Sequence, residues 1–143
     1  MHRMLAVIAV ALGPAVAVAQ APQFLNANPQ STAPFSAAVK LGNMLYLAGQ
    51  LGTDHGKLVA GGIGPETKQA LTNIKTVLEA NGSDMEHVVK CTVFLAYMKE
   101  WPAMNDVYRT MFTAGKFPAR SAFGTTGLAL DARTEIECIG VVK

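Results

Sequence analysis

In the segment FPARSAFGTTGLALDARTEIEC one arginine, Arg120, directly follows a Pro-Ala pair at the start of one apolar stretch. Two carboxylates, Glu135 and Glu137, stand two positions apart in another. A guanidinium in such a setting is costly to bury unless it meets a carboxylate or an anionic ligand. In a strand, Glu135 and Glu137 share one face, because side chains alternate with period two. On residue type alone two readings stand. One is a solvated sheet edge where Arg120 bridges to a glutamate; the other is a site where the arginine holds an anion and a carboxylate handles protons.

Other chemistries find less support. There is no G-x-S-x-G elbow, and neither cysteine sits beside a histidine. His2 lies in the N-terminal leader, while His55 and His87 stand alone without H-x-x-H or C-x-x-C spacing, so no zinc site is predicted. GGIGPET lacks the G-x-x-x-x-G-K-[ST] order of a phosphate cradle and reads as a flexible lead into a helix. Cys91 and Cys138 lie in apolar, β-branched stretches, VVKCTVFL and EIECIGVV. Small buried hydrophobes are the favoured reading, and a disulfide between them in an oxidising compartment is the alternative, which sequence does not decide because it does not give the Cα separation.

The elements that position these residues follow from 143 residues, enough for one compact core and too few for two ordinary domains. The opening MHRMLAVIAVALGPAVAVAQA has a short basic start, an apolar run and an A-x-A before Gln20, the layout of a signal peptide over 1–19. Gly13-Pro14 interrupts the run, which falls short of the roughly 20 apolar residues of a membrane span. The prediction is a periplasmic or secreted protein with no membrane attachment after cleavage. Removing the leader takes away Arg3 and leaves eleven basic against ten acidic residues, a net charge of +1. That balance gives no electrostatic footprint for nucleic acid, and none is expected as a partner.

Residues 20–33, rich in Asn, Pro, Gln and Ser, read as an extended lead-in contributing little to the core, and 34–143 as the domain. AAVKLGNMLYLAGQLG holds two apolar runs about Gly42-Asn43, predicting a hairpin whose second strand covers 44–48. TDHGKLVAGGIG reads as a glycine-rich loop. Pro65 then opens a helix with Ala70, Leu71, Ile74, Val77 and Leu78 on one face, ended by Asn81-Gly82. HVVKCTVFLAYM is a β-branched strand. WPAMNDVYRTMF is a second helix whose stripe of Trp101, Met104, Val107, Tyr108 and Met111 is assigned to the core. Strands over 119–124 and 134–142 complete the order β-β-α-β-α-β-β. One sheet is expected, with both helices on one face, since each has a single apolar stripe to bury.

From about Pro34 to the end the chain resembles the RidA/YjgF family of reactive-intermediate (enamine/imine) deaminases. The resemblance rests on PFSAAVKLGNMLYLAGQLG, TKQALTNIKTVLEANG, VVKCTVFL, MNDVY and, most specifically, FPARSAF followed by EIECIG, which sets Arg120 and Glu135 fifteen residues apart. It implies an α+β, chorismate-mutase-like fold: a mixed sheet with two helices on one face, assembled as a homotrimer with clefts between subunits. It implies that Arg120 binds a substrate carboxylate and that Glu135 positions or activates water. Asn105 and the backbone at Gly49 then border the same cleft, and no metal or organic cofactor takes part. Two positions depart from the family pattern: Phe35 stands where tyrosine is frequent and Ala122 where cysteine is common, so substrate preference is expected to differ. The function implied is hydrolysis of 2-imino or enamine acids to 2-oxo acids and ammonia. The alternatives are a non-catalytic module binding small carboxylates and an endoribonuclease-type activity, against which the missing basic patch counts.

Overall fold

Leu41 and Met44 face each other across Gly42-Asn43, and Gly42 takes φ 64°, a left-handed conformation that costs glycine nothing. This turn closes the predicted hairpin of β2 (Ala38–Leu41) and β3 (Met44–Leu47). The computed structural model describes residues 20–26 and 30–143, so the predicted signal peptide lies outside the described residues. Within the stretch read as a lead-in, β1 (Gln23–Leu25) is extended as expected and also pairs antiparallel with β2, placing Leu25 against the core. No alternation announces a strand of three residues.

Beyond β3 come the two-residue β4 (Gln50–Leu51) and a small separate hairpin, β5 (Thr53–Asp54) and β6 (Lys57–Leu58). That hairpin occupies part of the segment read as a loop. His55 and Gly56 both take positive φ at its turn, 46° and 77°. Helix α1 spans Ile63–Ala80, starting two residues before the predicted Pro65, after Gly62 at φ 79°. Its buried face holds Ala70, Leu71, Ile74 and Leu78, with Val77 packed at the margin. Strand β7 (Val88–Leu95) leads into α2 (Trp101–Tyr108), which continues through a 3-10 turn at Arg109–Met111. Strands β8 (Ala119–Gly124) and β9 (Thr134–Val141) close the chain.

The sheet runs β1-β2-β3-β9-β7-β8, with β4 also paired to β9. All pairs are antiparallel except β7 with β8, which lie parallel because α2 carries the chain from one end of the sheet to the other. β8 and β9 are therefore consecutive in sequence but not neighbours; β7 stands between them. Along β7 and β9 the buried side chains alternate. Cys91, Val93 and Leu95 line up with Thr134, Ile136 and Cys138 on the face that α1 and α2 cover. Lys90, Thr92 and Phe94, with Glu135, Glu137 and Ile139, look out on the other face, as does Tyr46 of β3. One face is core and the other is open.

β3 and β4 follow one edge of β9 with an irregularity between them. Tyr46 opposes Ile139 and Gln50 opposes Ile136, so four steps on one strand match three on the other. The additional residue is a bulge at 47–49, and Gly49 lies in it.

Contrary to the expectation from sequence, Cys91 and Cys138 form a disulfide across the directly opposed positions of β7 and β9, with Cα atoms 4.1 Å apart. Both are fully buried, so their apolar surroundings fit either role; only the strand register, invisible to local composition, brings the sulfurs together. The bond spans a sequence separation of 47, which in the loop-closure account removes about 4 kcal/mol of denatured-state entropy. The Cys91→Ala/Cys138→Ala double variant is expected to lose about 2–4 kcal/mol of stability in denaturant titration. Reductant should lower the midpoint of the wild type only. Equal midpoints with and without reductant would contradict the bond's role.

Candidate active site

Arg120 reaches its position through β8. In the parallel register it pairs with Cys91, so it shares the helix-covered face with Cys91 and Cys138 rather than the open face. β8 is the edge strand and α2 stops short of sealing it, so the side chain is half-buried rather than enclosed. The guanidinium carbon lies 4.5 Å from the centroid of the Tyr108 ring and 5.9 Å from that of Trp101, both on α2. These are cation–π distances. Burial pushes the Tyr108 hydroxyl up to about 12, with Arg120 acting in the opposite direction, so at neutral pH a neutral ring carries the cation. Among the described residues no carboxylate forms an ion pair with Arg120 and no side-chain hydrogen bond engages it. The reading in which Arg120 bridges to a glutamate on a solvated edge is therefore set aside.

The guanidinium opens onto a cavity of about 350 Å³ lined by Asn105, Tyr108, Arg109, Phe117, Pro118 and Arg120. Asn105 comes from α2, one helical turn from Trp101, and contributes an amide with both donor and acceptor. Ala122 lies two residues beyond Arg120 on the same face of β8, packed against the core. A planar cation held by aromatic faces, with all its donors unspent beside a side-chain amide, is suited to a carboxylate.

Glu135 is elsewhere. It opposes Phe94 of β7 and Leu51 of β4, which puts it on the open face. Its carboxylate lies over the bulge: a Cβ added at Gly49 would collide with Oε1 and stand 2.9 Å from Cδ. Glu135, like Arg120, has no ion-pair or hydrogen-bond partner among the described side chains. Glu137, one repeat along β9, opposes Thr92 and is exposed on the same face, as the period-two argument requires. Phe35 is an exposed aromatic, 63% accessible, on the segment before β2. His55 is exposed in the β5–β6 turn, and His87 places Nδ1 2.7 Å from Asp84 Oδ1. Neither histidine lines the cavity.

The candidate residues thus fall into two groups within one chain: Arg120, Asn105 and Ala122 at the edge under α2, and Glu135 with Gly49 on the open face. Sequence reasoning missed three members of the first group. Tyr108 was assigned to the core and is buried there, yet its ring face also carries Arg120. Trp101, likewise assigned to the core, is 38% exposed, with its ring 5.9 Å from the Arg120 guanidinium carbon. Arg109 drew no attention. Phe117 and Pro118, in the same motif as Arg120, were a signal that could have marked the cavity wall.

Gly49→Ala is expected to push the Glu135 carboxylate off the bulge while leaving the fold intact. If Glu135 is catalytic, turnover should fall by about two orders of magnitude, the effect of misplacing a reacting group by roughly 1 Å. A steady-state assay with circular dichroism as the fold control checks it.

A family model described as Endoribonuclease L-PSP matches residues 25–142. The chain is 44% identical over 117 residues to a 2-iminobutanoate/2-iminopropanoate deaminase of Dermatophagoides farinae, covering 80% of this chain and 91% of that one. It is 46% identical over 115 residues to the protein of the same name from Capra hircus, covering 79% and 83%. Among solved structures, yeast Mmf1 superposes with a TM-score of 0.79 at 33% identity, over 86% of this chain and all of that one. The YjgF gene product of E. coli gives 0.77 at 31% identity, over 85% and 99%.

Proposed function

The chain belongs to the RidA/YjgF family, whose family model is described as Endoribonuclease L-PSP, and on that premise we propose that it hydrolyses reactive 2-imino and enamine acids to 2-oxo acids and ammonia. The observation that carries this reading is the unpaired Arg120 guanidinium, stacked on Tyr108 and open to a cavity beside Asn105. An imino acid offers a carboxylate to that fork, and binding it bidentately fixes the adjacent imine carbon. Water adds to that carbon as Glu135 takes its proton. The C=N electron pair moves to nitrogen, giving a carbinolamine; protonated Glu135 returns its proton to the amine nitrogen, the C–N bond breaks with its pair on nitrogen to release ammonia, and the hydroxyl oxygen forms the C=O of the 2-oxo acid as its proton passes to Glu135. The protonated imine is electrophilic by itself, so the residues need only orient the substrate and shuttle protons between water, hydroxyl and amine.

Arg120 and Glu135 face opposite sides of one sheet, so a single chain does not bring both to one imine. The active site is therefore composite: Arg120, Asn105 and Ala122 come from one copy, and Glu135, Gly49 and Phe35 from a second. The open face, with Tyr46, Phe94, Phe123 and Ile139 at least partly exposed, needs a cover. A head-to-tail contact that lays it on the next copy's β8–α2 edge closes as a ring, and three copies give the homotrimer. Light scattering at micromolar concentration should return three times the chain mass; a monomer would contradict the composite site.

Export to the periplasm or beyond is the companion proposal, supported by the layout of residues 1–19 and by a buried disulfide of the kind that persists in oxidising compartments. A mature N-terminus at Gln20, measured by mass on exported material, supports it; an intact Met1 there contradicts it. The activity itself is tested by adding the protein to imines generated from 2-aminobutyrate by an amino-acid oxidase. Faster release of ammonia and 2-oxobutanoate is expected, and an unchanged rate would contradict the assignment.

A further inference from the structure

The cavity that holds Arg120 has a second arginine in its lining. Arg109 begins the 3-10 turn that continues α2 and lines the same space as Asn105, Tyr108, Phe117 and Arg120. Its own partners hold it loosely. Nη2 lies 3.6 Å from Asp106 Oδ1, with the two side chains 64% and 76% exposed, and Nε donates to the Asn105 carbonyl at 3.3 Å. An exposed pair at that distance contributes little and yields readily to a better anion. The cavity is therefore lined by two arginines, one on β8 and one at the end of α2 whose loosely held guanidinium is free to turn toward an anion, and by Phe117 and Pro118. A substrate with one carboxylate engages only the Arg120 end.

Resting on the deaminase reading, we propose that the preferred substrates are 2-imino acids with a second anionic group, the imines of 2-oxodicarboxylic acids. Arg120 takes the carboxylate next to the imine carbon, Arg109 takes the distal carboxylate, and the intervening methylenes lie on Phe117 and Pro118. The volume of about 350 Å³ is at the small end of ligand cavities, which suits a short diacid. The reaction balances as before: imine and water give the 2-oxodicarboxylate and ammonia. Arg109 is a specificity-determining residue in this account, and the competing one is a cation that merely stabilises the end of its helix.

The test compares 2-iminoglutarate with 2-iminobutanoate, each made in place by an amino-acid oxidase, in the wild type, Arg109→Gln and Arg109→Lys. The wild type should favour the dicarboxylate about tenfold in kcat/KM, the size of one partly solvated charge-assisted contact. Arg109→Gln should bring the ratio near one, with the loss in KM for the dicarboxylate, and Arg109→Lys should restore part of it. A helix-end role alone would lower both substrates together and keep the ratio, and that result, or no preference in the wild type, overturns the proposal. If neither imine is hydrolysed, the deaminase reading fails separately. Calorimetric affinities for 2-oxoglutarate and 2-oxobutanoate then decide the inference by the same ratio, equal values overturning it.

Discussion

Arg120→Lys is expected to lower kcat/KM for 2-iminobutanoate by about two orders of magnitude and Arg120→Ala to lower it further, both with the fold retained. Two charge-assisted hydrogen bonds from a bidentate fork are worth about 3–4 kcal/mol together, a factor on the order of several hundred. Lysine keeps the charge but offers a point cation that cannot hold both carboxylate oxygens in one plane or lie flat on the Tyr108 ring. The imine carbon then loses its fixed position, so the loss appears in kcat as well as in KM. The folded state should tolerate either change, because Arg120 is half-buried on an edge strand and takes part in no ion pair among the described residues. Steady-state kinetics with a thermal melt checks both halves; an Arg120→Ala protein as active as wild type would shift the assignment to a carboxylate-binding module without this chemistry.

Glu135→Gln is expected to lower kcat by about two to four orders of magnitude and to leave KM nearly unchanged, since removing the proposed general base would abolish proton transfer without touching the carboxylate contact. Glutamine keeps the size and hydrogen-bonding reach of the side chain over Gly49, so the loss is chemical rather than steric. Glu137→Gln is the internal comparison. It shares the strand and the open face but opposes Thr92, away from Gly49, and should change kcat by less than about twofold, as exposed polar substitutions usually do. Equal losses in both variants would indicate a general effect of charge on that face.

Much of the scaffold was legible because local patterns decide it. Gly42-Asn43 between two apolar runs specifies a hairpin, the spacing of Ala70, Leu71, Ile74 and Leu78 specifies α1, and period two puts Glu135 and Glu137 on one face. What escaped depends on non-local register. Arg120 belongs to the helix-covered face because β8 registers it beside Cys91, and Glu135 belongs to the open face because β9 registers it beside Phe94, three residues along β7; neither follows from a window of residues. The same register joins Cys91 to Cys138. Trp101 shows a different limit: helical periodicity marks a stripe, but the first residue of α2 stays 38% exposed, with its ring 5.9 Å from the Arg120 guanidinium carbon. Gly49 was identified through family resemblance as a border of the cleft; its physical reason, the carboxylate resting over a bulge, needs the β3–β9 and β4–β9 offsets together.

Mixing two inactive proteins tests most directly the proposal that each active site takes Arg120 from one chain and Glu135 from another. Arg120→Ala and Glu135→Gln are each prepared alone, then dissociated, combined in equal amounts and reassembled, and 2-iminobutanoate hydrolysis is measured against wild type treated identically. In a randomly mixed closed ring, about a quarter of the sites pair an intact Arg120 with an intact Glu135, so roughly a quarter of wild-type activity should return. If both residues acted within one chain, every site in the mixture would still lack one of them, and activity would stay at the level of the separate variants.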